Sequence, residues 1–213
     1  MGRNKTSKAW MHMHVTDPFV RQAQKDGYRS RAVYKLAEIA EKDRLVKPGL
    51  VVVDLGAAPG GWSQWLVKQV GTGGRVIAID CLPMKPIVQA EFIQGDFTSD
   101  EGLQSLQQLL KGARADLVLS DMAPNISGVE SVDQARCAHL AELAIEFAKA
   151  HLKPGGAFLV KVFQGEHFEA VRRQMLATFK TAGVRKPKAS RSESKETYLV
   201  GRGLRQEEAT KIS

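Results

Sequence analysis

Apolar positions along the chain follow two alternating periods. Short runs rich in β-branched residues occur at LVVVDLG (50–56), RVIAID (75–80), AEFIQGD (90–96), ADLVLSD (115–121) and GAFLVKVF (156–163). Their length and composition are those of strands buried on both faces. Between them the spacing changes to that of helices. SRAVYKLAEIAEKD (30–43) places Val33, Leu36, Ile39 and Ala40 on one stripe, with Ser30 positioned as its N-cap. Further helices are predicted over 61–70, 99–111, around 131–151 and about 166–181. Short strands near 183–188 and 196–201 complete the pattern. Strands alternating with helices predict an α/β fold, with a mostly parallel seven-stranded sheet and helices on both faces. The last two strands have no helix between them, so an antiparallel hairpin is expected at one edge.

At 213 residues and 43% hydrophobic content, the chain fits one sizeable domain with its own core. The polar stretch 1–27 reads as a basic arm with limited regular structure, 28–201 as the domain and 202–213 as a tail. Charge sharpens that division. Residues 1–35 hold eight Lys and Arg against Asp17 and Asp26, and residues 180–213 hold nine against four acids, whereas the body carries a small excess of acid. A near-neutral body with basic ends is the footprint of a polyanion partner. Cys81 and Cys137 have no metal-ligand spacing and form no disulfide framework, which points to a reducing cytoplasm. No signal-like or membrane-length apolar stretch is present, although Gly2 and Thr6 match a loose myristoylation pattern.

One strand breaks the apolar rule. In Ala157-Phe158-Leu159-Val160-Lys161-Val162-Phe163 a lysine sits inside a buried run, where an unpaired ammonium costs roughly several kcal/mol. Lys161 therefore requires carboxylate neighbours. Ligands of open α/β sheets bind beyond the carboxyl ends of the strands. Asp121, in SDMAPN, closes its strand at that edge. Glu196 begins the final strand, which runs antiparallel, so it starts at the same edge. Three charges from separate segments are thus expected to converge. Lys35 lies on a helix that precedes the sheet, and pattern alone does not place it.

The first strand leads into DLGAAPGGW (54–62). In a dinucleotide fingerprint the second glycine lets the backbone approach a pyrophosphate at a helix N-terminus. Here that position is Ala58, followed by Pro59, which disfavours a phosphate cradle and with it an NAD-dependent oxidoreductase. Asp80 ends the second strand, 24 residues after Gly56, where a carboxylate can grip ribose hydroxyls. Asp96, just past the third strand, can accept from an adenine amino group. Ribose and adenine without phosphate, together with a cation that calls for carboxylates, point to S-adenosylmethionine.

The segments DLGAAPGGWSQ, SDMAPN, LVKVFQG and RSRAVYKL together resemble the FtsJ/RrmJ family of RNA ribose 2′-O-methyltransferases, in the same order from about residue 18 to 201. They are most similar to its bacterial branch, which acts on a uridine of large-subunit 23S ribosomal RNA. The resemblance implies a Rossmann-like S-adenosylmethionine-dependent methyltransferase fold. It also places the family's Lys-Asp-Lys-Glu tetrad on Lys35, Asp121, Lys161 and Glu196, and its cofactor contacts on Gly60, Trp62, Asp80, Asp96 and Asp121. No metal and no obligate protein partner are implied, and the expected partner is ribosomal RNA within the large subunit. A ribose 2′-hydroxyl is a poor nucleophile until its proton is removed or its lone pair is aimed at the methyl carbon, and Lys161 can serve either need.

Arg21, Lys25, Arg29 and Arg31 are the candidates for RNA phosphate contacts, and Trp10 and Tyr28 for stacking on unpaired bases. Tyr34 follows a helical stripe and is expected in the core. His12 and His14 match no metal pattern. Two rivals remain open from the residues: transfer RNA as substrate, and a non-catalytic ribosome-assembly factor. Binding alone does not require Lys161 within a strand, which disfavours the latter.

Overall fold

The structure, a computed structural model, describes residues 17–125, 127–191 and 193–205. The sequence features at Gly2, Thr6, Trp10, His12 and His14 lie outside them. The strands are β1 (Val51–Leu55), β2 (Arg75–Asp80), β3 (Ala90–Gln94), β4 (Ala115–Ser120), β5 (Leu152–Phe163), β6 (Phe179–Arg185) and β7 (Glu196–Leu204). They form one sheet in the order β3-β2-β1-β4-β5-β7-β6. β1 to β5 pair in parallel, and β7 runs antiparallel between β5 and β6. The expected mostly parallel sheet with an antiparallel hairpin at one edge is therefore observed.

Helices α1 (Pro18–Lys25), α2 (Val33–Asp43), α3 (Gly61–Val70), α4 (Asp100–Leu110), α5 (Glu130–His151) and α6 (Phe168–Thr178) surround the sheet. One face packs against Leu106 and Leu110 of α4, Ala144 and Ile145 of α5, and Val171 and Met175 of α6. The opposite face packs against Leu36 and Ile39 of α2 and Trp62 and Leu66 of α3. That second core includes Leu117 and Leu119 of β4, Leu159 of β5, and Tyr198 and Val200 of β7. Strand side chains alternate faces with period two, so Asp121, Lys161 and Glu196 extend those same rows past the edge of the core. The fold delivers the three charges to one face before any specific bond forms.

Four local expectations need correction. Residues 18–25 are not irregular: Asp17 caps α1 by accepting from the Phe19 and Val20 amides, and Pro18 fills the first turn. Ser30 does not cap α2, which begins only at Val33; its hydroxyl instead accepts from the Ala32 amide two residues on. α6 ends at Thr178 and β6 starts at Phe179, earlier than the periodicity suggests. Phe179 is wholly buried and stacks on Phe158 of β5 with centroids 5.8 Å apart, so tertiary packing fixes that boundary. Tyr34 is half-buried rather than in the core, and its hydroxyl donates to Asp26 at 2.6 Å.

Asp54, in the middle of the sheet, is wholly buried. Ser63 of α3 donates its hydroxyl to Asp54 Oδ2 at 2.6 Å, pinning the start of that helix to β1, while Oδ1 has no partner among the described residues. Burial pushes the carboxyl up; the Ser63 bond opposes it and the charges of Asp121 and Asp80 reinforce it, so it reaches about 7. An acid raised in the folded state holds its proton there after the unfolded chain has lost it. Its contribution to stability is therefore present at low pH and falls as pH rises towards 7, by up to about 1.4 kcal/mol per pH unit. Asp54→Asn should flatten that decline. Urea midpoints collected from pH 5 to 7.5 check it, and identical pH profiles for the two proteins would show that Asp54 is ionised throughout.

Candidate active site

The carboxyl ends of β4 and β5 and the start of β7 meet at one edge. Ser120 is in register with Val160, Lys161 with Tyr198, and Phe163 with Glu196. Just past β4, the Asp121 amide still donates to the Leu55 carbonyl, at 3.1 Å, which fixes its side chain beside β5. Lys161 Nζ donates to the Asp121 carbonyl at 2.6 Å and lies 3.2 Å from Asp121 Oδ1, with only 8% of its side chain exposed. The buried lysine thus has both a carbonyl and a carboxylate. Lys35, in the first turn of α2, reaches across the sheet edge and donates to Glu196 Oε1 at 2.6 Å. All four residues of the expected tetrad come together, as two ion pairs.

A fifth residue joins the pairs. Tyr198, wholly buried and two positions along β7 from Glu196, places its hydroxyl 3.0 Å from Asp121 Oδ1 and 3.3 Å from Glu196 Oε1. Its ring packs near Trp62, with centroids 6.1 Å apart. Burial and then the two carboxylate charges push its phenol well above the ordinary range, so it remains a protonated donor. Burial alone would raise the Glu196 carboxyl. The Lys35 charge and hydrogen bond, the Lys161 charge and the Ser190 hydroxyl outweigh it and hold Glu196 below its ordinary value. Tyr198 escaped the sequence reading because ETYLV scans as an ordinary strand. The one usable signal was its spacing of two from Glu196, on the same face of that strand.

Beside this cluster lies a cavity of about 570 Å³ lined by Ala58, Asp80, Asp96, Asp121 and Met122, among others. Asp121 belongs to both the cavity and the tetrad. Asp80 accepts from the Ala58 amide at 2.9 Å and from the Leu82 amide at 2.8 Å, tying the glycine loop to the next connection. Asp96 Oδ1 accepts from both the amide and the hydroxyl of Thr98. Gly56 adopts φ +78°, and a Cβ there would come within 2.9 Å of the Met122 backbone, so only glycine permits the close passage of these two loops. The expected contacts Gly60 and Trp62 do not line this cavity. The Trp62 indole turns into the core and donates to the Ala32 carbonyl at 2.7 Å, leaving the main chain at the α3 N-terminus as what this pair can offer. Among the described residues no group of three or more His, Cys, Asp or Glu is placed to hold a metal ion, and no helix is long and apolar enough to cross a membrane.

The four expected phosphate contacts divide into two pairs. Arg21 and Lys25 lie one turn apart on the exposed side of α1. Arg29 and Arg31 donate to main-chain carbonyls of other segments. Arg31 pairs with Asp17 and donates to the Ala189 carbonyl. Arg29 donates to the carbonyls of Pro59, Lys85 and Pro86. Sequence counts charge but does not reveal that the Arg29 and Arg31 guanidinium groups meet main-chain carbonyls.

Comparison with known proteins meets this geometry. The profile of the FtsJ-like methyltransferases matches residues 28–204. The protein named ribosomal RNA large subunit methyltransferase E from Azoarcus sp. (strain BH72) is 60% identical over 205 residues, covering 96% of this chain and all of that one. Its namesake from Dechloromonas aromatica is also 60% identical over the same length. The crystal structure of a putative ribosomal RNA methyltransferase from Plasmodium falciparum superposes with a TM-score of 0.74 at 29% identity, covering 83% of this chain and 98% of that one. Match length, identity and fold agree, and the chain belongs to the FtsJ-like methyltransferase family.

Proposed function

We propose that this methyltransferase moves the methyl group of S-adenosylmethionine to a ribose 2′-hydroxyl of large-subunit ribosomal RNA, a uridine of the 23S molecule, in the cytoplasm. In this reading residues 28–201 are the catalytic domain, preceded by a basic arm whose helix α1 carries part of the RNA contact. The observation that carries the proposal is the sharing of Asp121. The carboxylate that lines the cavity also lies 3.2 Å from the Lys161 ammonium, so an amine stands next to wherever a methyl donor would lie.

The cavity suits such a donor. Its carboxylates Asp80 and Asp96 sit at successive strand ends, as ribose and adenine acceptors require, and its glycine turn admits close approach without a phosphate cradle. Once bound, S-adenosylmethionine supplies an electrophilic methyl carbon on a positively charged sulfur. The protein's task is then positional and protonic. As a neutral amine Lys161 would take up the 2′-hydroxyl proton; as an ammonium it would direct the hydroxyl so that its lone pair faces the methyl carbon. Asp121 aims Lys161, Lys35 and Glu196 fix the other side of the cluster, and Tyr198 holds the two carboxylates in register. Bound S-adenosylmethionine would supply the methyl group and keep the carbon–sulfur electron pair on sulfur, while the hydroxyl proton would pass to a neutral Lys161 or, beside a charged one, to solvent.

Incubation with labelled S-adenosylmethionine and either unmodified large-subunit particles or transfer RNA tests the substrate. Label confined to one ribose of the 23S molecule is expected, and label on transfer RNA alone would reassign it. Lys161→Ala should retain cofactor binding while single-turnover methylation drops ~10²–10⁴-fold. Lys161→Arg separates the two roles, because arginine keeps the charge but takes up no proton. A rate as low as that of alanine marks a base, and partial recovery marks an aiming group. Wild-type rates in the alanine variant would remove Lys161 from the chemistry.

RNA affinity should depend on salt through α1. Replacing Arg21 and Lys25 together with Gln should flatten the log–log salt dependence, by up to ~0.7 for each phosphate of single-stranded RNA that is no longer neutralised. Filter binding over a salt series measures that slope, and an unchanged slope would move the footprint elsewhere.

A further inference from the structure

Arg29 lies in the basic segment yet pairs with no carboxylate among the described residues. Its Nη1 donates to the Lys85 carbonyl at 2.6 Å and to the Pro59 carbonyl at 3.3 Å, and its Nη2 to the Pro86 carbonyl at 2.9 Å. These acceptors belong to two different loops. Pro59 follows Ala58 in the glycine turn, and Lys85 and Pro86 lie in the connection that leaves β2 after Asp80. Both loops wall the cavity, through Ala58 on one side and Cys81 and Leu82 on the other.

The arginine is itself held in place. Its amide donates to the Gln64 side chain of α3 at 2.8 Å, and that side chain donates in turn to the Gly27 carbonyl at 3.3 Å. The loops touch where the guanidinium lies: a Cβ on Gly60 would come 2.6 Å from the Met84 sulfur and 2.9 Å from Arg29 Nη1. The second loop is otherwise held by the Asp80 bond to the Leu82 amide and by the approach of Met84 and Ile87 to Gly60. It exposes 64% of Leu82 and 86% of Val88, so these two apolar side chains contribute little to its position. A guanidinium presents five donors in a rigid fork, which suits a junction of several carbonyls.

We propose that Arg29 is a positioning residue for the methyl donor, a clamp that holds the glycine turn and the 81–89 loop at the separation the cofactor needs, rather than a contact for RNA phosphate. The proposal rests on the reading of the cavity as the S-adenosylmethionine site. Lysine retains the charge but cannot span three carbonyls. Arg29→Ala and Arg29→Lys should therefore both weaken cofactor binding, by ~10-fold or more for alanine, as the loss of charge-assisted hydrogen bonds predicts.

Calorimetry with S-adenosylmethionine on the full chain, thermal melts, and RNA binding across a salt series decide the matter. The expected result is a raised Kd and KM for the cofactor in both variants, with kcat at saturating cofactor and the RNA salt slope unchanged. A flattened salt slope in the alanine variant, restored by lysine, with normal cofactor affinity, would make Arg29 a phosphate contact and overturn the clamp. A lowered melting temperature, with an unchanged cofactor Kd measured well below it, would reduce Arg29 to a structural tie. If the wild-type chain binds no S-adenosylmethionine, the cavity assignment falls first and the clamp falls with it.

Discussion

A lysine ammonium in a sheet interior has to be compensated before the strand that carries it can settle. Removing one partner of a buried pair costs about 3–5 kcal/mol, far more than an exposed pair contributes. Lys161 meets this demand with the carbonyl and carboxylate of a single residue, Asp121, just past the neighbouring strand. That requirement dictates much of the edge geometry. β4 must end opposite Val160, the chain must leave β4 close to Leu55, and the last strand must run antiparallel so that its acidic start reaches the same edge. Glu196 could not reach Lys35 if β7 were parallel.

The glycine loop satisfies a separate constraint, the passage of two loops without a side chain between them. Gly56 meets Met122, and Asp80 ties the turn to the next connection. The cavity wall is accordingly set by main-chain atoms and by carboxylates bonded to main-chain amides. Neither kind of group has much rotamer freedom. Preorganised walls of this sort favour ligand binding because little ordering remains to be done on association.

Much of this was legible in the sequence, for particular reasons. The parallel strands announce themselves because burial on both faces leaves no polar alternation to blur them. Lys161 stood out because its charge contradicts the run around it. Asp121 and Glu196 followed from strand direction alone, whereas Lys35 needed the family pattern, since its helix precedes the sheet. What escaped was what depends on registration between distant segments. Tyr198 looks like any strand tyrosine until β7 is laid beside β5. Arg29 and Arg31 look like solvated cations until the loops and Asp17 close on them. The α6–β6 boundary moved because Phe179 finds Phe158 across the sheet, a contact that local propensity does not foresee.

The Lys35–Glu196 bond joins residues 161 positions apart, near opposite ends of the sequence. The groups that wall the cavity, from Gly56 to Leu140, lie within the first two-thirds of the chain. Synthesis therefore delivers the cavity side first and the final strand last, and contacts of such wide separation are slow to form because the loop they close is long. The tetrad is in effect a completion test for folding. A chain halted before its last strand has the framework of the cavity but lacks Glu196 and Tyr198, so the charged cluster assembles only when both ends of the protein have found each other.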